Sequence, residues 1–161
     1  MFLADALGLD FLNSVAVPLD TQVDWLPTGE DLLQWLDQAK LVRTEVLDDI
    51  RKNAGPGELD AVAAQARALR EWFRGFVMAH KGTRLTRAAI GELEPLNRLL
   101  ARDEVYGQIE PRDLRESDPP PPSDLGFVPQ RRWRSPDALL LPIAKAMADL
   151  LADANFTYVK Q

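Results

Sequence analysis

Apolar positions recur every three or four residues along most of the chain, which is the spacing of helices that bury one face. This pattern predicts five helices, at about 30–40, 45–53, 58–81, 87–101 and 136–153. The longest of them carries an apolar stripe, whose members are Leu59, Val62, Ala66, Leu69, Phe73, Phe76, Val77 and His80. We therefore expect a mainly α fold, a helical bundle with short connections.

Local signals mark the beginnings and ends of several of these helices. Thr28 can cap the first one, and the acids Glu30 and Asp31 that follow suit its dipole. Gly82 follows the longest helix, at a position where left-handed backbone is common. Thr86 is expected to cap the fourth helix. The residues expected to face inward from that helix are Ile90, Leu93, Leu96 and Leu100.

Between about 104 and 134 the period changes from helical to alternating. Val105, Gly107 and Ile109 alternate with more polar neighbours, as in a half-buried strand. A second extended segment, 125–133, contains Pro129, which a strand tolerates at an edge or a bulge. The pattern predicts a β-hairpin inserted into the bundle, with a tip stiffened by prolines 119–122.

Length and composition fit one compact domain. The chain has 161 residues, of which 46 % are hydrophobic, and we expect a single domain over 1–154 followed by a tail, 155–161. A net charge of −6 disfavours nucleic-acid binding by the chain as a whole, because an acidic surface repels phosphates. No apolar run is long enough for a membrane span and no signal peptide is evident, so we expect a cytoplasmic protein that binds no membrane.

The sequence carries no catalytic signature. It contains no cysteine and only one histidine, His80, so a thiolate nucleophile and a cysteine-ligated zinc are excluded from these residues. A glycine-rich phosphate loop, a pair of metal-binding histidines and a nucleophile elbow are also missing. We therefore expect a protein that is not an enzyme, with no catalytic residue and no metal ligand.

A few polar residues lie in apolar surroundings and are candidates for a ligand site. Asp10 and Asn13 interrupt an apolar run, where an unpaired buried polar group would cost about 1–3 kcal/mol. They form either a structural hydrogen-bond arrangement or one polar wall of a pocket. Arg70 borders the apolar stripe and can pair with an acid or bind an anionic ligand, whereas Arg74 is expected to face solvent. Asn97, a poor helix former expected near the core side of the fourth helix, needs a specific partner.

Two aromatic positions have open assignments. Trp35 is expected to line either the core or a pocket. Trp133 lies in the basic cluster 131–134, which could grip nucleic acid by stacking and charge. Because the cluster is short and the chain acidic, we favour Trp133 covering the bundle while the neighbouring arginines pair with carboxylates.

Several short segments, in this order, carry a family resemblance. They are Leu9-Asp10-Phe11-Leu12-Asn13-Ser14, Asp31-Leu32-Leu33-Gln34-Trp35-Leu36, Ala68-Leu69-Arg70-Glu71, Leu96-Asn97-Arg98-Leu99-Leu100 and Asp149-Leu150-Leu151-Ala152. Together with the hairpin they resemble the ABATE domain, the amino-terminal part of the CGNR zinc-finger proteins, which are bacterial transcription regulators linked to stress. The resemblance implies a helical domain that senses a ligand, followed by a zinc finger that binds DNA. The Cys-Gly-Asn-Arg signature of that finger does not occur in these residues, so zinc and DNA are expected only outside them.

Our hypothesis from the sequence is a ligand-sensing regulatory domain that binds an unidentified small molecule. Its pocket is predicted to contain Asp10, Asn13, Trp35, Arg70 and Asn97. The alternative is a module for dimerisation or protein docking that takes no small-molecule ligand and uses the hairpin and its proline-rich tip. A homodimer is one partner arrangement that this alternative allows.

Overall fold

A computed structural model describes residues 7–16, 23–112, 119 and 121–153 of the protein. Within them the helices are α1 (Leu7–Leu12), α2 (Gly29–Gln38), α3 (Thr44–Asn53), α4 (Glu58–His80), α5 (Glu94–Leu100) and α6 (Leu140–Asp153). Short antiparallel strands β1 (Val15–Ala16) and β2 (Val23–Asp24) pair with each other, as do the longer β3 (Val105–Pro111) and β4 (Leu125–Arg131). The predicted fold class, mainly α with a β-hairpin, is confirmed.

The chain divides into two compact units. The helical unit comprises Met1–Arg102 and Trp133–Gln161, and the hairpin unit comprises Asp103–Arg132. This division does not decide whether 1–154 is one domain, which stays a prediction. The predicted tail, 155–161, and most of the hairpin tip lie outside the described residues.

The core of the helical unit is built around α4, which contacts α1, α2 and α6. Most of the predicted stripe on α4 is buried, whereas Leu59, Leu69 and His80 are only partly buried. Its fully buried members are Val62, Ala66, Phe73, Phe76 and Val77. Apolar residues of α2 and α6 complete this core, among them Leu32, Leu36, Ile143 and Met147. None of the described helices combines the length and the apolar character that crossing a bilayer requires.

The start of α2 is fixed by a capping box and by a close helix contact. Thr28 accepts a hydrogen bond from the Asp31 N–H, and the Asp31 carboxylate accepts one from the Thr28 N–H, which confirms the predicted cap. Next to it, a Cβ on Gly29 would overlap Leu59 of α4. The Gly29 N–H also donates to Asp60 at 2.8 Å, so the first turns of α2 and α4 are held together.

The fourth predicted helix is wrong in its first half. A 3-10 turn, Arg87–Gly91, precedes α5, and Ile90 is exposed rather than inward. Thr86 precedes this turn but makes no side-chain cap hydrogen bond. Pro95 explains the break, since its ring would collide with the carbonyl of Gly91 in a continuous helix.

The hairpin forms at the predicted place but differs in its burial. The register runs from Val105 opposite Arg131 to Pro111 opposite Leu125, and Pro129 pairs with Gly107 without a bulge. Both strands are edges because the sheet has only two. The prediction of a half-buried β3 is wrong, since none of its residues is buried. Strands β1 and β2 were not predicted, because two residues each are too few to show a period.

Candidate functional site

The structure separates the five predicted site residues by burial. Asp10, Trp35 and Arg70 are buried in the helical unit, whereas Asn13 and Asn97 are exposed. Asn97 was expected near the core side of its helix, which is wrong, because the adjacent Leu96 occupies that side. Whether any of the five contacts a ligand stays a prediction.

Asp10 and Asn13 do not share a helix face. Asp10 lies inside α1, which ends at Leu12, so Asn13 belongs to the turn that follows. The three-residue spacing therefore does not place the two side chains together. Among the described residues every buried side-chain nitrogen and oxygen has a hydrogen-bond partner, and Asp10 is one of those satisfied groups.

Arg70 is the centre of a buried polar cluster. Its side chain is only 2 % exposed. Nη1 donates to Ser14 Oγ and to Asp24 Oδ1, both at 2.9 Å, and Nη2 donates to Asp24 Oδ2 at 2.7 Å. Nε donates to Glu71 Oε1 at 3.0 Å. Four of the five guanidinium N–H groups are thus bonded within the protein.

The partners of Arg70 come from the turn after α1 and from β2. Ser14 follows α1 and donates its hydroxyl to the Phe11 carbonyl at 2.7 Å. Asp24, in β2, also accepts from the Leu26 N–H at 2.9 Å. The cluster therefore attaches two segments to one side of α4. These two segments are close to each other in the sequence.

Two further arginines of α4 extend this attachment. Arg67 donates to the carbonyls of Leu26 and Pro27, at 2.7 and 3.0 Å. Arg74 donates to the Leu12 carbonyl and to Glu71. Arg74 was expected to face solvent; its side chain is instead only one-third exposed and bonds the end of α1.

In this cluster, hydrogen bonds between charged groups and burial shift the pKa values in opposite directions. Hydrogen bonds from Arg70 lower the pKa of the Asp24 carboxyl, partial burial opposes this shift, and the Leu26 N–H adds to it. Burial disfavours charge on Arg70, but its hydrogen bonds to Asp24 and Glu71 outweigh burial and raise its pKa. Both groups are therefore ionised at neutral pH. A ligand anion at Arg70 would compete with Asp24 for these donors.

The spacing of the three arginines could have revealed this cluster. Positions 67, 70 and 74 follow the i, i+3, i+7 pattern that places side chains on one helix face. The sequence did not show which groups they would meet, because Ser14 and Asp24 are brought close only by the pairing of β1 with β2.

Trp35 belongs to the core. Its ring packs edge-on against Phe11, with centroids 5.3 Å apart. An edge-to-face contact of this kind stabilises helix packing by about 0.5–1.5 kcal/mol beyond area burial.

A cleft of about 480 Å³ lies elsewhere in the helical unit, between α3 and the segment before α6. On one side it is lined by Val46, Asp49, Ile50, Asn53, Ala54 and Glu58. Trp133, Arg134, Ser135 and Pro136 form the other side. Its lining combines apolar surface with carboxylate, amide, guanidinium and hydroxyl groups. None of the five predicted site residues lines it.

In the basic cluster, 131–134, the tryptophan and the arginines have different surroundings, as expected. Trp133 is partly buried and packs against the core, while Arg131 pairs with Asp103 at 2.7 Å and Arg132 with Glu104 at 3.7 Å. The expectation that Trp133 covers the bundle while these arginines pair with carboxylates is confirmed. Across the described ranges, no three acidic or histidine side chains are grouped as metal ligands would be.

Comparison with known proteins gives one family. The profile of the ABATE family, described as a putative stress-induced transcription regulator, matches residues 5–154. This confirms the resemblance carried by the sequence motifs. No curated protein and no solved structure matches the chain.

Proposed function

Since this chain belongs to the ABATE family, we propose that it is the ligand-sensing part of a bacterial stress-induced transcription regulator. The family is one of transcription regulators and not of enzymes, so we assign no catalytic residue. We propose that it acts in the cytoplasm, as expected of a protein that controls transcription. Zinc and DNA would be bound by the zinc finger that the resemblance implies, outside these residues.

The cleft between α3 and the segment before α6 is the observation that carries the proposed ligand site. Its volume of about 480 Å³ falls in the range of small-molecule pockets, roughly 300–1,000 Å³. Ile50 and the Trp133 indole supply apolar contact, and Asp49 and Glu58 supply carboxylates. We propose a ligand with an apolar body and at least one hydrogen-bond donor.

A ligand bound in the cleft would contact the segment that leads into α6. The wall of the cleft, Trp133 to Pro136, leads directly into the 3-10 turn Pro136–Leu139 and then into α6. In turn, α6 contacts α1, α4 and α5. If the ligand binds more tightly to one position of this wall, it also favours the position of α6 that goes with it. Through such a population shift, ligand binding would change the position of a segment that follows α6.

The Arg70 cluster is a weaker candidate because its donors are already bonded. A ligand there would have to replace Asp24 and Ser14, whereas the cleft offers an open volume of about 480 Å³ beside Asp49 and Ile50. We therefore propose that Asp10 and Arg70 act in the structure rather than in the ligand site.

A cleft-filling variant tests the site. Ala54 lies directly after α3 in an extended conformation that tolerates any side chain, so Ala54→Trp should fill the cleft without breaking the helix. Exposed Ala61 of α4 provides the matched control, Ala61→Trp. We would screen aromatic amines and polar aromatic compounds by thermal shift. Compounds that raise the melting temperature of the wild type and of Ala61→Trp, but not that of Ala54→Trp, would support the site.

The outcome that would contradict it is equally clear. If stabilising compounds act on Ala54→Trp as they do on the wild type, the ligand binds elsewhere.

A module for dimerisation or docking is the second candidate function, and the exposed apolar surface of the hairpin favours it.

A further inference from the structure

The cleft proposed above as the ligand site is bordered by one face of α3. Val46, Asp49, Ile50 and Asn53 line it, at the i, i+3, i+4, i+7 spacing that places side chains on one side of a helix. Val46 and Ile50 are apolar, and Asn53 is neutral. Asp49, which is exposed, is therefore the charged group that this face of α3 presents to the cleft.

The charge of Asp49 is not neutralised by a basic side chain. Across the described ranges, no lysine or arginine forms an ion pair with its carboxylate. The neighbouring Asp48 differs, because its carboxylate accepts a hydrogen bond from Arg51 at 2.6 Å, and Arg51 also bonds both carboxylate oxygens of Glu30. The negative charge of Asp49 is thus available to a ligand, whereas that of Asp48 is paired outside the cleft.

The remaining charged residues of the cleft leave it negative. Glu58 contributes a second carboxylate, which accepts a hydrogen bond from the Gly55 N–H at 2.8 Å. Arg134 is the basic residue of the lining, and its side chain has a partner of its own. Two carboxylates outnumber one guanidinium, in a chain whose net charge is −6. Electrostatic attraction therefore favours a cation in this cleft over an anion.

The end of α3 also favours a cation. This helix ends at Asn53, and both Asn53 and Ala54 line the cleft. The last carbonyl groups of a helix carry a partial negative charge that stabilises a nearby cation. The positive end of α4 is close in sequence, but Glu58 and Asp60 in its first turn offset it.

Trp133 supplies an aromatic surface opposite α3. Its side chain is partly buried and packs against the core, so it is held in place. An indole ring attracts a cation to its face more strongly than other aromatic rings do. It also gives the apolar part of a ligand a flat surface to pack against.

We propose that the ligand of the cleft is an organic amine in its protonated, cationic form. Its ammonium group binds the Asp49 carboxylate, and its apolar body lies against Ile50 and the Trp133 indole. Asp49 then determines specificity, because its charge favours a cation over a neutral or anionic molecule of the same shape. This inference rests on the proposed function, since it names the ligand class of the same cleft.

Three compounds with the same apolar body and different charges test the inference on the ¹⁵N-labelled full chain. They are phenethylamine, phenethyl alcohol and hydrocinnamate, which are cationic, neutral and anionic at pH 7. We expect phenethylamine to shift the amide signals of α3 and the Trp133 indole N–H with a Kd of about 1–10 mM, as for a fragment of this size. Phenethyl alcohol should bind about fivefold more weakly, and hydrocinnamate more weakly still.

Asp49→Asn is the variant that tests the assigned residue, and Asp48→Asn is its matched control. Both remove one carboxylate charge from adjacent, exposed positions of α3, but only Asp49 lines the cleft. Asp49→Asn should weaken the binding of phenethylamine about fivefold and leave that of phenethyl alcohol unchanged. Asp48→Asn should weaken phenethylamine by less than about twofold, because salt screens a charge on another side of the helix.

Two results would overturn the inference and leave the proposed function standing. In one, phenethyl alcohol or hydrocinnamate shifts the α3 and Trp133 signals as readily as phenethylamine does. In the other, Asp48→Asn and Asp49→Asn weaken phenethylamine binding equally. If none of the three compounds shifts these signals at about 10 mM, both the inference and the assignment of the ligand site to the cleft are contradicted.

Discussion

Arg70 is a charged residue in the core whose role follows from its hydrogen bonds. Asp24 binds it through both carboxylate oxygens, and Ser14 and Glu71 occupy two further donors. A guanidinium suits this position better than an ammonium, because its planar fork bonds several partners in fixed directions. The same contacts leave it little capacity to bind a ligand.

Removing this side chain should destabilise the helical unit strongly. Breaking a buried ion pair by removing one partner costs about 3–5 kcal/mol, because the other charge is left without compensation. Because Asp24 is 27 % exposed and water partly compensates its charge, we expect Arg70→Met to lower the free energy of unfolding by about 3 kcal/mol, the lower end of that range, in urea denaturation. Arg98→Met is the control: Arg98 is 78 % exposed and pairs with Glu94, so its loss should cost less than about 1 kcal/mol. Equal effects of the two variants would contradict the structural role.

Asp24 should give stability a characteristic pH dependence. Its pKa is lowered in the folded protein by Arg70, so the folded state binds its proton less readily than the unfolded state. The stability it contributes is therefore complete above the unfolded pKa of about 3.9 and is lost as the pH falls through the lower, folded pKa. We expect Asp24→Asn to be less stable than the wild type at pH 7, with the difference shrinking below about pH 4.

Urea denaturation between pH 3 and 7 measures this difference. Asp149→Asn is a suitable control because Asp149 is an exposed carboxylate paired only with Lys145 across one helical turn. A gap between wild type and Asp24→Asn that stays constant down to pH 3 would mean that the carboxylate does not stabilise the fold through its charge.

Among the helices and strands, the sequence correctly predicted those that show a clear apolar period or a capping residue. The long helix, the Thr28 cap and both hairpin strands have their predicted places, because each rests on many residues or on a specific local interaction. The 3-10 turn before α5 was missed because an apolar period over 87–101 conceals the effect of Pro95. Alternation along β3 correctly predicted a strand with an apolar side, but alternation alone does not tell whether anything covers that side.

The candidate site was harder to predict than the elements for a physical reason. Arg70 was singled out from its place beside the apolar stripe, and it is indeed buried. Its partners, Ser14 and Asp24, depend on a strand pairing of two residues that leaves no pattern in the sequence. The cleft depends on the contact of α3 with a segment more than seventy residues away, which periodicity cannot reveal.

For the whole molecule, we assign separate roles to the arginines of α4 and to the cleft. The arginines of α4 hold the amino-terminal segments to the core, and we propose that the cleft beside Trp133 is where a ligand binds. Family membership supports a regulator of transcription. We propose that the ligand binds in the cleft and not at the buried arginine.

The most direct test is a two-dimensional NMR titration of the ¹⁵N-labelled chain with mixtures of small aromatic amines and polar aromatic compounds. We expect the shifted signals to belong to the backbone amides of α3 and to the Trp133 indole N–H, with weaker shifts at the start of α6. Shifts centred on Ser14, Asp24 and the Arg70 side chain, with α3 and Trp133 unchanged, would contradict it and return the site to the buried cluster.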